Sequence, residues 1–271
     1  MTNKERLAAI SSDITFREDI HEYRNGADEV LTSVTTCLHH YKVPFDEFGH
    51  ITRAVARKRG ITVEEVQKEW KDKTDRACTY GTAVHLAIEN YLNNGVIVDN
   101  EYKDIVKSFA RIKFDGEVFS EIRLQSKLFK LAGTSDIVVV KNNLVTISDL
   151  KTNESFLFEP KYNNYFLYPI SHLPECHHTT YSLQILIYGR MVQEHGFDFE
   201  PGELLWLDRE TNKIRQINVL PLHKEVDDLL NHYIETKMKE KEVKDDDDFA
   251  PGMIWDEFSE SFFEVPSKKR K

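Results

Sequence analysis

The chain has 271 residues, of which 40% are hydrophobic and 30% charged, and a formal net charge of −10. Such a length can bury a full core as one domain with elaborations, and the composition is that expected of a soluble globular protein. It speaks against a membrane protein, since no apolar run approaches the ~18 residues a span needs. It also speaks against a disulfide scaffold, because Cys37, Cys78 and Cys176 are few and scattered, and against a protein that coats nucleic acid through overall charge. The polar N-terminus lacks a signal-peptide core, so a cytoplasmic location is expected.

Residues 1–30 are polar and mixed, with modest helical potential from Lys4 to Ser11. Val30 to Tyr41 predicts a short strand running into a helix that Ser33 or Thr35 can cap. Asp46 to Gly60 predicts a helix with a basic end (Arg53, Arg57, Lys58, Arg59) and a glycine stop. Arg53 and Arg57 are four apart, share a helix face and are candidate contacts to neighbouring phosphates. Thr62 and Glu65 form a capping box that opens a helix reaching about Ala77, with Trp70 on its apolar face.

The segment Thr79 to Leu92 predicts a new helix starting at Gly81-Thr82, with Val84, Ala87, Ile88 and Tyr91 as its buried stripe. His85 and Glu89 project side by side from it. Such a pair can bind a metal or a phosphate, or simply share a local hydrogen bond. A further helix is expected from Glu101 to Phe114, then a strand from Val118 to Phe129. Alternation puts Ile122, Leu124 and Leu128 on one side of that strand, and Glu121, Arg123 and Gln125 on the other.

The stretch GTSDIVVVKNNLVTISDLKT, Gly133 to Thr152, holds two β-branched runs joined by a Lys-Asn-Asn turn, the pattern of a buried hairpin. Asp136 stands at the mouth of the first run. Asp149 and Lys151 end the second, on the same face as Val145 and Ile147. A buried strand that turns from apolar to Asp-x-Lys carries a desolvation cost, and metal-assisted hydrolysis is one use that would justify it. The alternative is a surface hairpin ending in an ordinary ion pair. Acid-x-Lys triplets also occur at Glu69/Lys71, Glu101/Lys103, Glu159/Lys161, Glu235/Lys237 and Glu242/Lys244, so the triplet alone is weak.

Asn153 to His178 reads as a long irregular stretch of the kind that forms lids or binding loops. Tyr181 to Gly196 predicts a buried helix in which Gln184 and Tyr188, four apart, must be hydrogen-bonded. A hairpin turning at Thr211-Asn212 and an amphipathic helix from Leu222 to about Lys241 follow, with Leu222, Val226, Leu229, Tyr233 and Met238 on its apolar side. From Lys239 the chain becomes a charge run and then an acidic, aromatic tail, read as a strap on the domain or a docking peptide for a partner protein. Cys37, His39 and His40 with Cys176, His177 and His178 would suit zinc if the fold joined them.

Four motifs occur in a fixed order: Gly81-Thr82-x-x-His85-x-x-x-Glu89, Gly133-x-x-Asp136, Asp149-Leu150-Lys151-Thr152 and Gln184-x-x-x-Tyr188. Together they resemble the PD-(D/E)XK nuclease superfamily, in particular its RecB-like exonuclease branch of phage recombination and mitochondrial genome-maintenance nucleases, over roughly residues 30–220. The resemblance implies an α/β, restriction-endonuclease-like core: a mixed central sheet with an antiparallel meander, flanked by helices. An N-terminal helical region (1–78), the core (79–240) and the tail (241–271) would divide the chain.

It further implies a Mg²⁺- or Mn²⁺-dependent DNA exonuclease of recombination, replication or repair, in the bacterial host cytoplasm if phage-encoded. Asp136, Asp149, the Leu150 carbonyl, Glu89 and His85 would hold the metal, and Lys151 would position the attacking water. Gln184, Tyr188, Thr82 and Thr152 would support the site or the DNA, which would carry a free end, and Glu121 would be an accessory acid. A recombination or replication protein would be the partner of the tail. An endonuclease and a non-catalytic DNA-binding scaffold of the same fold are the alternatives. Ser135 departs from the proline of the superfamily name, and the three cysteines cannot build the four-cysteine iron–sulfur cluster of some relatives.

Overall fold

The structure, a computed structural model, describes residues 2–17, 20, 22–46, 49–160, 163–244, 254–256 and 261–263. The first part of the chain contains helix α1 (Asn3–Ser12), strands β1 (Ile14–Arg17), β2 (Glu22–Asn25) and β3 (Val30–Ser33), then helices α2 (Val34–His39), α3 (His50–Arg59), α4 (Val63–Asn94) and α5 (Lys103–Phe109). The central meander follows as β4 (Glu117–Ser126), β5 (Leu131–Lys141) and β6 (Leu144–Lys151). Helix α6 (His177–Glu194), strands β7 (Asp198–Asp208) and β8 (Lys213–Asn218) and helix α7 (His223–Lys244) complete the main body. Within the tail, β9 (Ile254–Asp256) pairs with β10 (Ser261–Phe263). The rest of the tail beyond α7, with the docking role read for it, lies outside the described residues.

Eight strands form one mixed sheet in the order β1-β2-β3-β5-β6-β7-β8, with β4 added on β5. Only β3–β5 and β6–β7 run parallel. The parallel step from β6 to β7 is spanned by the irregular stretch and α6, the crossover that such a pair requires. Alternation divides the sheet's side chains between two cores. Val138, Val140, Val145, Ile147 and Leu204 pack with α6, α7, α1 and α2. Ile137, Val139, Leu150, Leu205 and Leu207 pack with α4 and α5 on the other face.

Several predicted elements form where the sequence put them, with the expected caps. Ser33 accepts the Thr36 N–H at the start of α2, and the Thr62/Glu65 capping box opens α4. Gly60 ends α3 in the left-handed region at φ 68°. Asp46 does not begin α3 but caps it from a distance, its carboxylate accepting the N–H groups of Ile51 and Thr52.

Other expectations are corrected. Gly81-Thr82 starts no helix: α4 runs unbroken from Val63 to Asn94, through the boundary drawn at residues 78 and 79. Gly81 is there because the helix meets the end of β6, where a Cβ would lie 3.0 Å from Thr152 Oγ1. The N-terminal region is not purely helical, since β1, β2 and β3 extend the sheet. β3 is the short strand expected from Val30, whereas β1 and β2, four residues each, are too short for their alternation to stand out. The helix expected from Glu101 to Phe114 contracts to α5, and β4 ends at Ser126, leaving Leu128 61% exposed in the following turn. Met238 is likewise exposed rather than on the apolar side of α7. Among the described residues no helix is long and apolar enough to cross a membrane.

Candidate metal centre and its lysine

The site begins where two strands part. β5 and β6 pair from Lys141↔Leu144 up to Ile137↔Ser148, after which β6 pairs with β7 alone, through Asp149↔Leu204, Leu150↔Leu205 and Lys151↔Trp206. A register slip between Ile147 and Asp149 marks the parting. Opposite it, Gly202 lets β7 approach so closely that a Cβ would lie 2.6 Å from the Ile147 carbonyl. Asp136 is the first residue of β5 beyond the paired region. Its Oδ2 accepts the Leu150 N–H at 2.7 Å, standing in for the lost strand hydrogen bond and fixing the carboxylate in the fork.

Side chains from the flanking helix α4 and from strand β4 of the same sheet converge on this opening. His85, on α4, places Nδ1 3.3 Å from Asp136 Oδ1. Glu121 comes from β4, whose pairing with β5 holds at Ser120↔Ile137 and Ile122↔Ser135 but skips Glu121 itself, at φ 52°. A non-glycine residue in that region costs of order 1–3 kcal/mol, and such strain gathers at functional positions. The ligand-capable atoms of His85, Glu121 and Asp136 all lie within 4.8 Å of one another, the one such group among the described residues.

Electrostatics follow from this crowding. Burial, then the Asp136 charge, pushes the Glu121 carboxyl up to about 8, with His85 opposing. Burial works against charge on both His85 and Asp136, yet each stabilises the other's ion. His85 is raised above its ordinary value, and Asp136, helped by Lys151 and the Leu150 N–H, is held below its own. With its carboxyl raised to about 8, Glu121 keeps its proton at neutral pH beside the ionised Asp136.

The second half of the site surrounds Lys151. Its Nζ lies 2.8 Å from Asp149 Oδ2, donates to Gln184 Oε1 at 3.0 Å and sits 4.3 Å from the centre of the Tyr181 ring. Gln184 in turn donates Nε2–H to Tyr188 Oη at 3.2 Å. The Tyr188 ring packs on Gly133, where a Cβ would come within 2.6 Å of it. So Gly133, Asp149, Lys151, Gln184 and Tyr188 form one chain of contacts. Asp149 is 2% exposed, and burial pushes its carboxyl up to about 6 against the pull of Lys151.

The chain matches no protein-family model and no curated protein. Its chemistry is therefore read from its own residues. A histidine nitrogen, the oxygens of Glu121 and Asp136 and the neighbouring Asp149 make an oxygen-rich donor set that fits a hard divalent cation such as Mg²⁺ or Mn²⁺. The buried Asp149 Oδ2 already faces the Lys151 ammonium at 2.8 Å, so Asp149 links that donor set to the lysine.

The sequence-predicted residues do not all meet at this site. His85, Asp136, Asp149, Leu150, Lys151, Gln184 and Tyr188 are brought together. Glu89, one turn beyond His85, lies outside the close group, although its charge is felt at Glu121. Thr152 packs against Gly81, while Thr82 is exposed on α4. Arg53 and Arg57 are exposed on α3, which is tied to α4 by Arg59 and Glu69 at 2.6 Å. Glu69 precedes His85 by 16 residues, which places that tie ~24 Å along the helix from the site.

The zinc idea gains no support. Cys176 Sγ instead contacts Phe158 O and Thr179 Oγ1, His177 stacks on Tyr181, and His178 Nε2 bonds the Asn218 carbonyl at 2.8 Å. Sequence reasoning ranked Glu121 as an accessory acid and missed Tyr181 altogether. Glu121 shares a polar strand face with Arg123 and Gln125, so only the family resemblance singled it out, and nothing in the spacing marked Tyr181.

Proposed function

We propose that this chain is a divalent-metal-dependent deoxyribonuclease with a restriction-endonuclease-like core, related to the RecB-like exonucleases. The observation that carries this reading is the convergence at one strand fork of His85, Glu121 and Asp136 with the Asp149–Lys151–Gln184 chain. A solvated surface hairpin would have no reason to bury these acids together or to hold one of them protonated.

His85, Glu121, Asp136 and Asp149 would hold the cation, with the Leu150 carbonyl as a further donor. When bound, the cation supplies charge stabilisation and a more acidic water. Lys151, fixed on three sides, orients the attacking water and offsets charge that develops on the phosphoryl oxygens. Gln184 gives the ammonium a second anchor beside its ion pair with Asp149, and Tyr188 keeps Gln184 in place. The acids of the chain repel phosphate at long range, so DNA affinity comes from local basic groups, with a free end as the expected substrate feature.

The deciding experiment incubates the full chain with end-labelled linear and with circular single- and double-stranded DNA, with Mg²⁺ and with chelator. Degradation of linear but not circular DNA, only with Mg²⁺, is expected. Cleavage of circles would make it an endonuclease. Binding without any hydrolysis in Mg²⁺ or Mn²⁺ would leave a scaffold and sink the enzymatic reading.

A further inference from the structure

β7 ends at Asp208, and the next residue, Arg209, reaches back to the strand that carries the lysine. Its Nε donates to the Thr152 carbonyl at 2.5 Å, and its guanidinium carbon sits 4.4 Å from the centre of the Tyr80 ring. Those two contacts fix both the position and the plane of the group. The terminal nitrogens make no hydrogen bond or ion pair among the described residues. Glu154, whose carboxylate feels the Arg209 charge, is already paired with Lys73 at 3.0 Å. A guanidinium held rigid at its Nε side, with the fork of N–H donors unused, is preorganised for bidentate binding of a tetrahedral oxyanion.

The location gives that oxyanion an identity. Thr152 directly follows Lys151, and Tyr80 precedes His85 by five residues on the same helix, ~7.5 Å along its axis. Since one strand of DNA carries a phosphate every ~3.4 Å of axis, the separation is about two phosphate steps. Arg76, one turn before Tyr80 on α4 and exposed, continues the cationic path away from the site.

We propose that Arg209 grips a backbone phosphate of the DNA close to the one being cut, and so aligns the strand with Lys151 and the metal group. This inference rests on the nuclease reading. Arg209→Gln keeps donors for the Thr152 carbonyl but removes the charge and the fork. Arg209→Lys keeps the charge alone. Both are compared with the wild-type full chain in Mg²⁺ on linear DNA, measuring KM, kcat, the salt dependence of KM and Tm.

The expected result for Arg209→Gln is a KM about tenfold higher, kcat within about twofold, and a salt slope lower by ~1. Arg209→Lys should restore the slope while recovering only part of KM. An Arg209→Gln enzyme with unchanged KM and slope, whatever its Tm, overturns the inference and leaves Arg209 as a clamp on Thr152. Should that variant not fold, Arg209→Lys decides: raised KM at wild-type Tm supports the proposal, and unchanged KM overturns it. A wild-type chain that neither binds nor cuts DNA removes the nuclease reading itself, and this inference with it.

Discussion

Lys151 Nζ donates to Gln184 Oε1 at 3.0 Å, and this hydrogen bond ties the strand that ends in the charged triplet to the buried helix facing it. Lysine has four rotatable bonds, and the Asp149 ion pair at 2.8 Å alone leaves the ammonium free to swing about that contact, so Gln184 is the second anchor that fixes its direction. Gln184→Ala should therefore lower kcat by ~10–100-fold, equivalent to ~1.4–2.7 kcal/mol of barrier, with little change in KM. The metal requirement should not move. Steady-state kinetics with a Mg²⁺ titration checks this, and an unchanged kcat would reduce Gln184 to a core hydrogen bond.

Metal-free protein should lose stability as pH rises. Glu121 and Asp149, raised to about 8 and about 6, keep protons in the native state where the unfolded chain has shed them. The native state then binds more protons than the unfolded one, so ΔG of unfolding falls as pH climbs through those values. His85, also raised, acts in the same direction, because its contribution is present at low pH and lost on deprotonation. Asp136 acts oppositely: its contribution is whole above the ordinary carboxylate range and is lost as pH falls from there through its depressed value. A bound cation takes the place of those protons. The Tm difference between Mg²⁺ and chelator should accordingly be small at pH 5.5 and widen by pH 8.5. Equal differences at both values would mean that these acids do not hold the ion.

Much of this architecture was legible because local rules and tertiary packing agreed. The hairpin of Ile137–Val140 and Leu144–Ile147 was written in β-branched residues, and the buried Gln184 and Tyr188 had to bond something because of where their helix lies. Gly81 was misread because a mid-helix glycine and a helix start look alike in one dimension. Only the approach of Thr152 distinguishes them. Glu121 was placed on the correct strand, but alternation could not show that it leaves the β region at φ 52° and turns to His85. Arg209 was silent for a different reason. Its partners, Tyr80 and Thr152, lie far away in sequence and meet it only through the β6–β7 pairing.

Gly133 answers to Tyr188 rather than to a turn. An alanine there would force the ring to move, since the added Cβ would fall 2.6 Å from both Cε1 and Oη. Gly133→Ala should cost ~1–3 kcal/mol and, by displacing Gln184 through Tyr188, should also depress kcat. In a Tyr188→Ala background the same change should cost much less, because the obstacle is gone. Urea unfolding of the four proteins gives the coupling, and full additivity would refute the contact.

The two glutamates near His85 separate a ligand from a neighbour. Glu121 belongs to the close group with His85 and Asp136, whereas Glu89 is four residues along α4 and outside it. If the cation sits in the close group, Glu121→Gln removes a donor charge and should raise the Mg²⁺ needed for half-maximal activity by ~10-fold or more, while Glu89→Gln should raise it less. The metal-free proteins should order differently. Above pH 8 the buried Glu121 must ionise beside Asp136, a cost that glutamine does not carry. Glu121→Gln should then melt higher than wild type in chelator at pH 8.5, with the gain shrinking toward pH 6, where Glu121 is already protonated. Glu89→Gln should show a smaller gain, since it removes only one of the charges acting on Glu121. A Glu89 variant that matched or exceeded Glu121 in both measurements would move the metal one turn along α4 and return Glu121 to the part of accessory acid.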